Sequence, residues 1–445
     1  MNNPNPPRAH RSSLLTFAFC LLTFAFLFPR LAPAAEILPL TLQQAVHLAL
    51  QQNPDVLLAR LDEAKARHAV REARAPFFPQ LAAGSGLAYS SGFPLSIEGA
   101  APSIFQAQGS QFLFNRSQSF RAKETSEMAA ASAHSTAAKA EEVAFRVAST
   151  YLDFERATRA VAAARAQIEL AQRLERLVDE RVQAGREIPL ELTRARLNTA
   201  RARAALRQLE AQAELLEQTV RADLALGDDV RVASVETQLA AQLALPENQD
   251  AAVAAALAAS REIQRLESIR RAKQFQVRAE EGARWPRVDL VAQYALLGRF
   301  NNYEDFFRSF RRHNGQLGLS VQVPLFAGRQ IAARVSQAES EVSQTSLRLA
   351  AARAGVALES RRLFRQVEQA DSAREIARLD LDLARESLSV LLARFDEGRV
   401  SLREIEQARL IESQNWEAYF DAQTAASKAR LSLLRQTGTL EASLR

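Results

Sequence analysis

One long pattern occurs twice in this chain. Arg181-x-x-x-Gly185-x-x-x-x-x-Glu191-Leu192-x-x-Ala195-Arg196-Leu197 returns 213 positions later as Arg394-x-x-x-Gly398-x-x-x-x-x-Glu404-Ile405-x-x-Ala408-Arg409-Leu410. Upstream, Phe78-Pro79-Gln80 is answered 207 positions later by Trp285-Pro286-Arg287. So long a period rules out a small-repeat solenoid and implies two copies of a domain-sized unit. The chain must therefore be read as one unit, then doubled.

Each unit opens with helix. The first runs from Leu40 to about Ala75, interrupted at Asn53-Pro54, and its counterpart spans about 250–283. Both stop at an aromatic-proline step, because proline drives the residue before it out of the helical region. The hydrophobic period then shortens to two. Leu317, Leu319, Val321, Val323 and Leu325 alternate with polar or small residues, as do Val288, Leu290, Ala292, Tyr294 and Leu296. Strands are predicted near 80–90 and 103–114 in the first unit, and near 287–298 and 315–326 in the second. Strands of ~9–11 residues cross a bilayer when tilted. The same alternation also suits a soluble hairpin with one wet face.

Beyond the strands, glycine and proline almost vanish. None occurs from Arg116 to Ala184, and Gly355 alone interrupts Arg329–Glu397. Ile331, Val335, Ala338, Val342, Thr345, Leu349, Ala352 and Val356 make a heptad seam. A helix of ~68 residues would reach ~100 Å. Each breaks at Gly185 or Gly398, where a left-handed helix cap is needed, and a second helix returns. The units are thus 36–227 and 250–438, with helical hairpins at 116–227 and 329–437, a linker at 228–249 and a tail at 439–445.

Residues 1–35 read as a cleaved leader: Arg8 and Arg11 precede an apolar run from Leu14 to Phe28, and small residues follow at Ala32, Ala34 and Ala35. The sole cysteine, Cys20, lies in that run, so the exported chain would carry no disulfide. The formal charge of +6 includes three leader arginines, and the remaining arginines are interspersed with glutamates at helical spacing. No clustered basic stripe suggests a nucleic-acid partner. His47, His68, His134 and His313 lack metal-ligand spacing. No phosphate-cradling glycine loop follows a strand. Neither an enzyme nor a cofactor is expected.

Four membrane-length strands cannot close a barrel alone, since open edges are not tolerated in lipid. Copies of the chain would have to share one. The whole pattern resembles the TolC-type outer membrane factor family. Leu40-Thr41-Leu42-x-x-Ala45-Val46-x-x-Ala49-Leu50-x-x-Asn53-Pro54 looks like its opening signature. Pro79 and Pro286 fall at its helix-to-strand junctions, and Pro324-Leu325-Phe326-Ala327-Gly328 looks like its strand-to-helix step. In the first unit that step reads Phe112-Leu113-Phe114-Asn115, a departure. The resemblance implies an α + β membrane protein: a homotrimer with a common twelve-stranded barrel in outer-membrane lipid, continuous with a periplasmic helical barrel. It implies a duct serving an efflux pump or type I secretion, with a periplasmic adaptor of the membrane-fusion class and an inner-membrane transporter of RND, ABC or MFS type as partners.

By the same resemblance, the two Gly-x5-Glu motifs are tips that dock on the adaptor. Arg181, Gly185, Glu191, Leu192, Ala195 and Arg196 form the first, and Arg394, Gly398, Glu404, Ile405, Ala408 and Arg409 the second. Leu192 and Ile405 would anchor adaptor helices, and Ala195 and Ala408 would admit close approach. Glu404 would contribute a ring of carboxylates at the pore entrance, with pKa raised by mutual repulsion. The next family position holds Gln407, which is not a carboxylate. A generic helical hairpin with capping glycines and paired charges is the plainer account of one tip. The aromatic loop with Phe300, Tyr303, Phe306, Phe307 and Phe310 suits either a membrane-interface girdle or a packed surface loop. A periplasmic adaptor or a structural coiled coil is the alternative for the whole chain. The first would need a single hairpin, and the second leaves the paired strands unexplained.

Overall fold

The computed structural model describes residues 36–86, 103–235, 244–297, 311–397 and 399–444. The leader, the aromatic loop from Phe300 to Phe310 and Gly398 lie outside the described residues.

The elements follow the duplication helix for helix. The first half holds β1 (Glu36–Leu40), α1 (Leu42–Gln52), α2 (Pro54–Arg74), β2 (Gln80–Gly86), β3 (Ser103–Phe114), α3 (Arg116–Gln183) and α4 (Pro189–Asp223). After β4 (Val230–Ser234) come α5 (Gln249–Ala259), α6 (Arg261–Gly282), β5 (Arg287–Leu297), β6 (His313–Gln322), α7 (Gln330–Asp396) and α8 (Leu402–Gln436). Caps mark the breaks. The Thr41 side chain and Gln44 form a reciprocal capping box at α1. At the α1–α2 break, Asn53 Oδ1 accepts from Asp55 N at 2.9 Å, and Pro54 occupies a position whose N–H has no intrahelical partner.

The two halves are not separate domains. Strands β2, β3, β5 and β6 form one antiparallel sheet in that order, so β3 of the first half pairs with β5 of the second. Below it the helices keep the same lateral order: α2 packs on α3, α3 on α6 and α6 on α7. Farther from the sheet the row becomes α4, α3, α8 and α7. The largest core cluster joins Leu42, Val46, Val147 and Tyr151 of the first half to Leu431, Leu434 and Leu440 of the second. The heptad seam is real: Val335, Ala338, Thr345 and Leu349 are buried.

Two boundaries differ from expectation. The predicted linker 228–249 contains β4, which pairs in parallel with β1, whose last residue, Leu40, opens the predicted first helix. Five-residue strands are too short to show a period of two. Their pairing is sealed by Tyr151, fully buried, whose hydroxyl donates to the Leu40 carbonyl at 2.6 Å and accepts from Val235 N at 3.1 Å. Strand β6 runs from His313 to Gln322 rather than 315–326. Alternation continues to Leu325, but the partner strand begins at Arg287, opposite Gln322, so the ladder ends there. The strand predicted at 80–90 is β2 as far as Gly86, and the rest lies outside the described residues. Among the described residues, no helix is long and apolar enough to cross a membrane.

Candidate functional site

Both tips use the same helix-ending geometry. At the first, Gly185 (φ 66°) donates to the Val182 carbonyl at 3.0 Å, and Arg186 N donates to Arg181 O at 2.8 Å. This six-to-one closure needs a left-handed residue, which glycine adopts without a Cβ penalty. At the second, Arg399 N donates to Arg394 O at 2.9 Å, the same closure across the same interval.

The tips pack on each other. Leu174, Val178 and Ala195 of the first hairpin share a cluster with Leu388, Phe395, Leu402, Ile405 and Ala408 of the second. Arg181 ties the two, its guanidinium 4.3 Å above the Phe395 ring and Nη2 donating to the Phe395 carbonyl at 3.0 Å. Its counterpart Arg394 is exposed. Arg409 is half-buried, donates from Nη2 to the Gln167 carbonyl at 2.9 Å, and has its pKa lowered by desolvation. Arg196 stays mostly exposed, 3.8 Å from Asp179.

This packing corrects the expected roles. Ile405, Ala408 and Ala195 are buried against the other hairpin, and Leu192 packs on the same cluster, so none offers a free anchoring face. Their apolar character serves the contact between tips. Exposed apolar side chains near the tips include instead Ile188, Leu190, Leu197 and Leu410. The last two close the duplicated motif, a signal the sequence carried without showing which face they occupy.

Glu404 is a cap within the chain. Its Oε2 accepts from Ser401 N and Ser401 Oγ, each at 2.9 Å, at the N-terminus of α8. Within the chain, the backbone bond from Ser401, then the hydroxyl bond, hold this carboxyl below its ordinary range. Glu404 and Gln407 line a shallow groove with Asp380, Leu383, Ile411 and Asn415. Glu191 contacts the Arg194 guanidinium through one oxygen, while its other oxygen is buried without a hydrogen-bond partner.

A carboxylate missed by sequence reasoning sits between the tips. Burial raises the pKa of Glu406, and Glu191 adds to that, against opposing effects of Asn198, Arg194 and Arg409. A raised folded-state pKa means that the fold favours the protonated form. Its stabilisation is present at low pH and is lost as pH rises from the ordinary carboxylate range through the raised value. Glu406→Gln is therefore expected to raise Tm at neutral pH and leave it unchanged near about pH 4, the ordinary range of a carboxyl. Thermal melts across that interval check this; an equal change at both ends would refute it.

Among the described residues, no group of three or more His, Cys, Asp or Glu side chains converges as a metal site. The outer membrane efflux protein family matches residues 45–228 and 252–439, most of the chain. This protein belongs to that family. Its place is thus the outer membrane, and its family function is efflux. No curated protein matches the sequence. Among solved structures, a membrane protein from Pseudomonas aeruginosa is 20% identical with a TM-score of 0.73, covering 89% of this chain and 92% of that one. The outer membrane protein VceC of Vibrio cholerae is 16% identical (TM-score 0.70; 89% and 96% covered). The Campylobacter jejuni CmeC outer membrane channel is 15% identical (TM-score 0.72; 90% and 86% covered). At such identities the likeness speaks for the fold.

Proposed function

We propose that this efflux channel works as a homotrimeric exit duct, passing substrates from an inner-membrane transporter of RND, ABC or MFS type through a tripartite pump or type I secretion system. The observation that carries this reading is the four-stranded sheet whose outermost strands, β2 and β6, each pair on one side only and leave the other edge open among the described residues. Open edges cannot stand in lipid. Three copies would supply twelve strands and remove every edge, with the helical row below continuing the wall. Transport is then passive, and no cofactor is needed.

The tips are the docking surface for a periplasmic adaptor of the membrane-fusion class. In this reading Gly185 and Gly398 make the turns, and the exposed Leu197 and Leu410 meet the adaptor beside Arg196 and Arg394. The contact between tips narrows the entrance, and Glu404 with Gln407 faces the passage. The native mass of the detergent-extracted protein, corrected for bound detergent, tests the assembly. A trimer recovered only with detergent is expected, whereas a detergent-independent soluble monomer would overturn the duct.

A further inference from the structure

The duplication makes it possible to read a contact between copies from one within the chain. Helices α2 and α7 are the outer members of the row α2, α3, α6, α7. The internal repeat places α2 in register with α6, 207 positions apart, and α3 with α7, 213 positions apart. In a ring that continues the repeat, α2 of one copy therefore meets α7 of the next as α6 meets α3 within the chain. The interface between halves continues as the interface between copies, under the same sheet whose edges β2 and β6 are open.

Inside the chain this contact is ionic and aromatic. Arg261 Nε lies 2.9 Å from Glu141, Arg271 Nε lies 2.8 Å from Glu127, and Phe120 stacks on Phe275 at 6.4 Å. At the corresponding positions of α2 and α7 each pair has lost its chemistry. Arg261 and Glu141 become Pro54 and Ala354, Arg271 and Glu127 become Ala64 and Ser340, and Phe275 and Phe120 become His68 and Ala333. No ion pair can form across these positions. Between the same two rungs lie Leu58 and Leu61 on α2 and Leu347 on α7, exposed by 60%, 66% and 72% in the single chain. The α6 position matching Leu61 is Ser268, which is completely buried.

We propose that neighbouring copies are joined at this height by a leucine seam, Leu58 and Leu61 of one copy against Leu347 of the next, in place of the salt bridges that join the halves of one chain. The proposal rests on the trimeric reading and assigns its contact residues. A seam between the two edges, where these ion pairs are missing, explains why three large aliphatic side chains are left in water by an isolated chain. Ion pairs between exposed groups weaken in salt, and burial of leucine does not. Copies should therefore stay together in high salt.

The test is site-directed cross-linking of the full chain carrying Leu61→Cys and Leu347→Cys, treated in detergent with a short bismaleimide. The native mass of unmodified protein is measured beside it. A covalent trimer on denaturing gels is expected, with neither single variant producing one. A second variant, Leu58→Lys with Leu61→Lys, should raise the monomer fraction at least tenfold. Arg271→Ala, which breaks a rung within the chain, should leave the trimer fraction unchanged. If the unmodified protein is trimeric yet neither cross-linking nor dissociation occurs, the seam is wrong and the duct stands. If the unmodified protein is monomeric, the duct reading fails and the seam falls with it.

Discussion

Ile405→Asp is expected to part the two hairpin tips and leave a leaky channel in an otherwise folded protein. Ile405 is completely buried between the hairpins, in a cluster with Val178, Leu388, Phe395 and Leu402. A carboxylate there would be unpaired, near Glu406, whose own ionisation burial already disfavours. An unpaired charge in such a place costs about 3–5 kcal/mol. The cost should fall on the tips, because the main cluster around Tyr151 and Leu434 shares no residue with them. Trypsin should then cut faster at Arg181 and Arg394, and conductance across planar bilayers should rise. Ile405→Leu, which conserves volume, should change neither. Unchanged conductance despite faster proteolysis would show that the tips do not limit flow.

Gly438→Ala should instead lower the stability of the whole fold. Gly438 ends α8 at φ 71° and donates to Arg435 O at 3.1 Å, while Thr439 N donates to Leu434 O at 2.9 Å. A Cβ added at this glycine would sit 2.5 Å from the Ala259 Cβ on α5. Left-handed backbone costs an L-residue about 1–2 kcal/mol, and forcing apart a packed contact adds about 1–3 kcal/mol. Denaturant melts should show the loss directly. The internal repeat contains its own control. Ala225, 213 positions earlier, ends α4 at φ 53° with the same closure, Leu226 N donating to Arg221 O at 3.1 Å. Its side chain is exposed, so only the backbone strain is present. Ala225→Gly should accordingly stabilise, by about 1 kcal/mol. The excess of the Gly438→Ala loss over the Ala225→Gly gain separates steric contact from conformational strain. A Gly438→Ala loss no larger than the Ala225→Gly gain would mean that α5 yields without cost.

Much of the fold was legible because its signals are local. The loss of glycine and proline after residue 115 marks α3, and Phe-Pro or Trp-Pro marks the ends of the preceding helices. Gly185 announces a left-handed cap wherever the hairpin packs. The candidate site was less legible. Ile405 and Ala408 look equally suited to receive a partner and to bury against their own chain, since the apolar requirement is the same. Glu404 reads as a free carboxylate until Ser401, three residues earlier, is seen to donate its backbone N–H to it. Glu406 carries no motif at all, and its shifted ionisation comes from burial, to which Glu191 of α4 adds.

By itself, the sequence determined the doubling, the long helices, the alternating strands and the turns, because each depends on propensity and periodicity over neighbouring residues. Only the tertiary structure decided that the halves interleave into one sheet, that β4 crosses back to β1, and which face of each tip is hidden. Those outcomes depend on contacts between residues far apart in the chain, where the gain from burying two apolar faces together selects the partner. Periodicity shows that a face must be covered; the packed structure shows what covers it.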